Sequence, residues 1–343
     1  MKLPRMNAVT VGLAELEALM ARALVAAGAS PENAAQVAAA LAAAEAQGLS
    51  GHGAARLPAY ADQAASGKVD GRAVPVLRQT AAGALMVDAA SGFAYPAIAI
   101  GLERACELAP AAGVVGVGIA NSHHFGAAGL HVERVARRGF IGLGFGNSPA
   151  AIAPWGGRRA LYGTNPIAFA CPRRAAEPLV IDLSLSKVAR GEVMVAAQRG
   201  EPIPEGWALD KEGRPTTDAQ AALAGAMLPI GDAKGAALVL AVELLAAALT
   251  GSQFGYEASS FFAADGSPPH VGQFFLVIDP AAFAGADVLA RTETLIATIE
   301  AQEGARLPGA RRLANRATAR AEGIALPIHL YDEIKRRAAA APA

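Results

Sequence analysis

The segment Gly51-His52-Gly53-Ala54-Ala55-Arg56 holds the residue types best suited to acid–base chemistry on a small anion. A histidine can give or take a proton near neutral pH, and an arginine can hold a carboxylate through two parallel hydrogen bonds. If a helix begins near Gly53, Arg56 lies about one turn from His52 and reaches the same ligand. This pairing suits a reaction at the carbon beside a carboxylate. A capping or buried structural histidine beside a surface arginine would give the same pattern.

The elements that must position this segment are predicted from hydrophobic periodicity and turn residues. The segment follows an alanine-rich helix, 30–48, which Ser30 caps before Pro31. Further helices are predicted at 11–27, 95–108, 129–138, 234–249 and 282–302, and strands at 84–87, 114–120, 141–145, 167–170, 179–182 and 274–278. The order is helical, then sheet-rich, then helical, so we expect the two helical ends to pack together.

Composition limits the possible classes of protein. The 343 residues suggest two domains, or one large domain with an appendage. Lys plus Arg and Asp plus Glu both number 30, and no basic run occurs, so no nucleic-acid partner is expected. Cys106 and Cys171 are far apart, which disfavours a disulfide framework or a zinc site.

Two segments bear on targeting and on membranes. The start, Met1 to Met6, lacks the long apolar core of a signal peptide. The most apolar stretch, 236–249, is interrupted by Glu243 and is too short to span a bilayer. We therefore expect a cytoplasmic protein without a membrane partner.

A conventional dinucleotide fingerprint is missing from the sequence. No Gly-x-Gly-x-x-Gly runs from a strand into a helix with an acidic residue about 20 positions later, and the glycines of 116–118 and 142–146 match only in part. The adjacent His123 and His124 could suggest a metal, but neighbouring side chains diverge and no third ligand stands out, so no metal is predicted.

Six blocks nevertheless resemble, in order, the type-2 malate/L-lactate dehydrogenase family, which has no Rossmann domain. The blocks are Gly48-x-x-x-His52-Gly53-x-x-Arg56-Leu57-Pro58-x-Tyr60, Asn121-Ser122-His123-His124-Phe125-Gly126-Ala127-Ala128-Gly129, Gly163-Thr164-Asn165-Pro166, Asp182-x-Ser184-x-Ser186-x-x-Ala189-x-Gly191, Pro229-x-Gly231-x-x-Lys234-Gly235 and Arg306-Leu307-Pro308-Gly309. The resemblance covers nearly the whole chain. It implies an α/β fold with a mixed, largely antiparallel sheet in a non-Rossmann NAD(P)-binding domain, 114–281. It also implies a helical substrate and dimerisation domain built from both chain ends, 1–113 plus 282–343, and a homodimer.

Within the family, the stretches 249–262 and 272–280 are most similar to the reductases of cyclic imino acids. The similarity implies reduction of Δ1-piperideine-2-carboxylate or Δ1-pyrroline-2-carboxylate to L-pipecolate or L-proline with NADPH, and NADH remains possible. The alternative is an NAD(P)-dependent dehydrogenase of malate, L-lactate or another 2-hydroxy acid. A binding homologue without chemistry is a third possibility. The first two predict a small substrate that bears a carboxylate.

The resemblance also gives roles to individual residues. It implies that His52 is the proton donor, with Glu192 as its acidic partner, and that Arg56, Thr164 and Arg190 bind substrate. The implied cofactor-binding residues are His124, Phe125, Gly126, Ala127, Ala128, Asp182, Leu183, Ser184, Lys234, Arg306, Gly309 and Arg311.

Two positions depart from the family pattern. The family usually has serine immediately before the histidine, where this chain has Gly51, and the imino-acid reductases carry aspartate where it has Glu192. Glycine cannot donate a hydroxyl to orient the imidazole. Either the relay around His52 is modified, or the substrate differs from the family standard.

Overall fold

The computed structural model describes residues 8–285 and 287–341, so the Met1 to Met6 segment, on which the signal-peptide expectation rests, lies outside the described residues. The strands are β1 (Ala8–Val11), β2 (Val76–Ala81), β3 (Ala84–Asp88), β4 (Val114–Ser122), β5 (Ile141–Gly146), β6 (Ile167–Cys171), β7 (Leu179–Leu183), β8 (Ala208–Leu209), β9 (Pro215–Thr216), β10 (Ala226–Met227), β11 (Val271–Ile278) and β12 (Ile324–Pro327). The helices are α1 (Leu13–Ala26), α2 (Pro31–Ala46), α3 (Leu57–Ala65), α4 (Ala94–Ala112), α5 (Ala128–Arg137), α6 (Arg190–Arg199), α7 (Ala219–Ala224), α8 (Asp232–Glu243), α9 (Ala281–Ala284), α10 (Asp287–Glu300), α11 (Ala310–Glu322) and α12 (Ile328–Ala338).

A seven-stranded sheet in the order β2-β3-β4-β11-β5-β6-β7 forms the centre of the molecule. Its neighbouring strands run antiparallel except for β3 and β4, which are parallel. A Rossmann sheet would instead be mostly parallel. The predicted α/β fold with a mixed, largely antiparallel, non-Rossmann sheet is therefore confirmed.

The glycines of β5 serve helix packing. A Cβ built on Gly144 would lie 2.9 Å from the Phe275 ring and 3.2 Å from Val132 of α5. A Cβ on Gly146 would lie 2.5 Å from the Phe125 ring. The partial fingerprint at 142–146 is thus explained by side chains that press against the strand.

The two ends of the chain pack together, as predicted. Leu16 of α1 and Leu41 of α2 share one core with Leu326 and Ile334 from the C-terminal end. Strand β1 pairs antiparallel with β12, with Val9 opposite Leu326. Strands β2 and β3 lie before residue 113 but belong to the central sheet. The domain boundary at residue 113 stays a prediction.

Several predicted elements need correction. The predicted helix 11–27 begins at Leu13, because the β-branched Val11 belongs with Val9 and Thr10 to a strand that pairs with β12. The predicted helix 282–302 is broken at Gly285, which has φ +60°. The predicted helix 234–249 ends in a π-helical segment, Leu244–Ala248.

Within the described ranges, no helix combines the length and the apolar character needed to cross a bilayer.

Candidate active site

A sharp return of the chain after α2 places His52. Gly48 has φ +75°, and Leu49 N donates to Ala44 O at 2.9 Å, which closes the helix as a Schellman motif. Two 3₁₀ turns, Ser50–His52 and Ala54–Arg56, then lead into α3. A Cβ on Gly53 would lie 2.2 Å from the Glu45 carboxylate, which accepts a hydrogen bond from Ala54 N at 2.8 Å. Glycine at position 53 therefore lets the His52 turn pack against α2.

His52 is a largely buried, neutral imidazole. Its ring stacks on His124, with the centroids 5.4 Å apart and an angle of 16° between the planes. Burial, and secondly the charge of Arg56, lower the pKa of His52 to about 4. Its Nδ1 is buried and has no hydrogen-bond partner among the described residues. At neutral pH the ring is therefore unprotonated, which is the form that acts as a proton acceptor.

One end of the Arg56 guanidinium is left without a hydrogen-bond partner among the described residues. Its Nε donates to Gly51 O at 2.7 Å, and its Cζ lies 4.4 Å from the centroid of the Phe262 ring. Its Nη1 is buried and finds no partner within the described ranges. Because Nε and one face are occupied, the two terminal nitrogens remain to bind an anion side by side.

Helix α3 adds two residues to which the sequence analysis gave no role. Tyr60 follows Arg56 by one turn, and its hydroxyl lies 2.5 Å from His124 Nδ1 and 3.2 Å from Tyr95 Oη. Gln63 Oε1 accepts a hydrogen bond from His123 Nε2 at 2.6 Å. Positions 56, 60 and 63 are spaced to lie on one helix face, and this spacing could have placed Tyr60 and Gln63 beside Arg56 from the sequence alone.

The neighbouring histidines have different partners. His124 contacts Tyr60, whereas His123 contacts Gln63. Burial, reinforced by the charge of Arg56, lowers the pKa of His123 to about 3 and that of His124 well below its ordinary value. No group of metal-ligating side chains occurs in the part of the chain that the structure describes. His124, which was predicted to bind cofactor, therefore also forms a wall of the His52 site.

Three of the predicted cofactor segments meet at the start of α5. Asp182, at the end of β7, accepts a hydrogen bond from Gly129 N at 2.8 Å. Its carboxylate lies 3.7 Å from Arg312 Nη1, one turn after Gly309. A Cβ on Gly129 would lie 3.0 Å from both Arg312 and Asp182. Burial, opposed by these two partners, raises the pKa of Asp182. Segments 124–128, 182–184 and 309–311 are thus neighbours. The sequence analysis did not include Arg312 among the cofactor-binding residues.

The other predicted cofactor residues differ in solvent exposure and in the contacts they make. Ser184 Oγ lies 2.7 Å from Ser186 Oγ, and Leu183 is exposed. Lys234 is exposed on the first turn of α8, and Arg311 is exposed on α11. Arg306 lines a cavity of about 310 Å³ together with Arg173 and Glu300.

Thr164 is held by main-chain contacts beside a buried polar cluster. Its N donates to Ser148 Oγ at 3.1 Å, and its O accepts from Leu185 N at 2.9 Å. The next residue, Asn165, has φ +39° and donates to Glu243 Oε2 at 2.7 Å. Glu243 also accepts from Gly255 N at 2.7 Å. Glu243, the acidic residue that interrupts the apolar stretch 236–249, thus fixes the turn that carries Thr164.

Glu192 and Arg190 make no hydrogen bond or ion pair with His52 or Arg56 among the described residues. Both lie at the exposed start of α6, where Arg190 Nη2 donates to Leu223 O at 3.3 Å. Among the hydrogen bonds and ion pairs of residues 8–285 and 287–341, none joins Glu192 to His52. Their roles stay predictions.

Comparison with known proteins shows the class. The family model described as malate/L-lactate dehydrogenase matches residues 11–335, and the chain belongs to this family. It is an NAD(P)H-dependent oxidoreductase, like its named relatives.

Two curated relatives and two solved structures show the range of substrates. The chain is 55% identical to the (2R)-3-sulfolactate dehydrogenase (NADP(+)) of Chromohalobacter salexigens, over 95% of this chain and 97% of the relative. It is 42% identical to the Delta(1)-pyrroline-2-carboxylate/Delta(1)-piperideine-2-carboxylate reductase of Pseudomonas syringae pv. tomato, over 92% and 93%. A solved delta1-piperideine-2-carboxylate reductase from the same organism matches with TM-score 0.90 and 41% identity, over 96% of this chain and 99% of that one. The sulfolactate dehydrogenase of Methanocaldococcus jannaschii matches with TM-score 0.88 and 28% identity, over 96% of each chain.

Proposed function

We propose that this protein is an NADP(H)-dependent dehydrogenase that interconverts a small 2-hydroxy acid and its 2-oxo acid, with (2R)-3-sulfolactate as the first substrate to test. The observation that carries the proposal is the neutral, buried His52 beside an Arg56 whose two terminal nitrogens are left for an anion. The former suits a proton acceptor, and the latter suits a carboxylate or sulfonate. Substrate and cofactor preference are supported by the relative at 55% identity.

The chain's residues fit a nicotinamide dinucleotide. Asp182 and Arg312 approach Gly129 closely and draw two glycine-containing segments, around Gly126 and Gly309, together at the start of α5. A helix start favours negative charge, and a basic side chain beside it can pair with a phosphate. We assign cofactor binding to His124–Ala128, Asp182–Ser184, Lys234, Arg306, Gly309 and Arg311, with Arg312 added. A bound nicotinamide would accept or supply the hydride.

The chain's own residues handle the anion and the proton. Arg56 holds the carboxylate and so fixes the carbon beside it. In the oxidation direction, His52 takes the proton of the substrate hydroxyl, and in reduction it returns that proton to the new alkoxide oxygen. Because an anion at Arg56 offsets the charge that lowers the pKa of His52, substrate binding makes the imidazole a stronger base.

Gly51 leaves room beside this pair. A Cβ at position 51 would meet no atom of the described residues within 4 Å. Gly51 is exposed, and we propose that a substituent at C3 of the substrate, such as a sulfonate, extends past it. The higher identity to the sulfolactate dehydrogenase is why we place the 2-hydroxy acid ahead of the cyclic imino acid.

Reduction of a cyclic imino acid is the second candidate. It is supported by the 41% identical reductase structure and by the similar stretches 249–262 and 272–280. The same residues would serve, since Arg56 would hold the ring carboxylate and a protonated His52 would supply the proton to nitrogen. The non-catalytic alternative is disfavoured, because the chain keeps both His52 and Arg56.

Absorbance at 340 nm separates these candidates. We expect NADP⁺ reduction with (2R)-3-sulfolactate to exceed that with malate or lactate, and NADPH oxidation by Δ1-piperideine-2-carboxylate or Δ1-pyrroline-2-carboxylate to be slower. Faster turnover of the cyclic imines would reverse the order of the candidates. Comparable turnover with NADH would remove the cofactor preference.

The variant Gly51→Ser sharpens this assay, because the added hydroxyl enters open space and should not unfold the protein. Loss of sulfolactate turnover, with cyclic imine turnover held or raised, is expected if Gly51 makes room for the C3 substituent. Equal effects on both substrates would show that Gly51 does not select between them.

We also propose a homodimer that acts in the cytoplasm. Leu238, Leu240, Leu244 and Leu249 are 43–58% exposed on α8 and the segment after it. These exposed leucines along one segment are the observation that favours a subunit interface. We expect light scattering at micromolar concentration to give twice the 34.6 kDa chain mass, and a monomer mass would contradict the dimer.

A further inference from the structure

A buried lysine outside the residues described above holds the loop that covers the site. Lys68, three residues after α3, is 3% exposed. Its ammonium donates to Ser260 O at 2.8 Å, Ala263 O at 3.0 Å and Asp265 O at 2.8 Å. All three of its protons are therefore used, which offsets the cost of burying the charge. Ser66 Oγ adds a bond to Ala264 O at 2.7 Å.

The loop that Lys68 holds has little structure of its own. Residues 252–270 contain neither helix nor strand. A connection this long inside a compact domain is most often functional. Four successive contacts tie its residues 260–265 to the turn after α3. Lys68 and Ser66 thus fix this part of the loop on the turn after α3.

The tip of this loop contacts both sides of the site. The Phe261 ring lies 5.3 Å from His123 and 5.1 Å from His124, between ring centroids. The Phe262 ring covers one face of the Arg56 guanidinium at 4.4 Å. An aromatic ring on that face leaves the edge nitrogens free and fixes the plane in which they can meet an anion. The position of the loop therefore sets the orientation of Arg56.

We propose that Lys68 is a positioning residue for substrate binding, which acts through Phe262 on Arg56. Lys68 touches no reacting group. It fixes the 260–265 loop so that Phe262 lies on the Arg56 guanidinium and Phe261 packs against His123 and His124. The proposal rests on the proposed function, because it treats Arg56 as the residue that binds the substrate anion.

Substitution of Lys68 tests the proposal. Lys68→Met keeps the length of the side chain and removes its donors, and we expect KM for the anionic substrate to rise about tenfold, the loss of one oriented cation–π contact. We expect a smaller effect on kcat, an unchanged KM for NADP(H), and partial rescue by Lys68→Arg. Lys211→Met is the matched control, because Lys211 is 74% exposed, and it should behave as the wild type.

A double-mutant cycle tests the route through Phe262. If Lys68 acts through this ring, Phe262→Ala should raise KM similarly, and the double variant should be no worse than either single one. Additive effects, or an equal rise in the KM for NADP(H), would overturn the proposal. Should Lys68→Met fail to fold, Phe262→Ala still decides, since this side chain is 58% exposed. An unchanged KM in that variant overturns the proposal, and a raised KM supports it.

Hydrogen exchange gives a readout that does not depend on turnover. In Lys68→Met, the amides of 259–267 should exchange faster, while those of α3 stay protected. Unchanged exchange would overturn the positioning role even where KM rises. If the wild type turns over neither substrate class, the proposed function fails, while faster exchange still shows that Lys68 orders the loop.

Discussion

Replacing His52 by alanine is expected to lower kcat about 10²–10⁴-fold, the contribution typical of a positioned general acid or base. The imidazole is buried beside Arg56, and its pKa of about 4 keeps it neutral and ready to accept a proton. Removing it leaves no group at that position to take the hydroxyl proton. The KM for NADP(H) should change little. His329→Ala is the control, because His329 is exposed on α12.

The pH dependence gives the same variant a second readout. The pKa of His52 is lowered, so the neutral form persists until the pH falls towards about 4. For oxidation, kcat/KM of the wild type should therefore stay level through neutral pH and decline only on the acid side. For reduction, which needs the protonated form, it should fall as the pH rises. His52→Ala should lose both trends. Full activity in this variant would contradict the catalytic role of His52.

Local patterns in the sequence sufficed for the residues nearest the chemistry. His52 and Arg56 lie four positions apart on two successive 3₁₀ turns, after Gly48 ends α2 and where Gly53 packs against it. The Ser30 cap of α2 was likewise predictable, and its Oγ accepts from Asn33 N at 3.2 Å. Each feature depends on neighbours within a few residues, where spacing determines contact.

Contacts between distant segments could not be derived from the sequence pattern. Lys68 meets carbonyls 192–197 residues away, and β1 pairs with β12 across most of the chain. Nothing in the local pattern around Lys68 distinguishes it from a surface lysine. Arg312 was not predicted for a related reason, since only the fold brings the first turn of α11 to Asp182.

The glycines show most clearly what the sequence alone cannot predict. Gly142, Gly144 and Gly146 resemble part of a nucleotide-binding loop, and the structure uses Gly144 and Gly146 for packing against aromatic rings. Gly129, the last residue of the second family block, lies where Asp182 and Arg312 converge. Composition identifies a glycine, but the surrounding chain decides whether the space beside it holds a ring or a ligand.

Substituting Arg56 by alanine is expected to raise KM for the anionic substrate about 10²-fold, since two hydrogen bonds to a charged group are lost. Its terminal nitrogens are the part of the guanidinium left for the ligand, because Nε is bound to Gly51 O. The KM for NADP(H) should stay near the wild-type value. Arg104→Ala is a matched control, since Arg104 is a surface residue paired with Glu107.

Arg56 has a second effect, which separates its charge from its shape. Its positive charge helps to lower the pKa of His52, so Arg56→Ala should raise that pKa and move the acid limb of kcat/KM for oxidation to higher pH. Arg56→Lys keeps the charge but loses the planar pair of donors. It should therefore keep the wild-type acid limb while KM rises. If Arg56→Lys binds substrate as well as the wild type, a point charge is enough, and the side-by-side binding of the anion that we infer is wrong. If Arg56→Ala leaves both KM and the acid limb unchanged, the substrate anion binds elsewhere and His52 does not respond to the charge beside it.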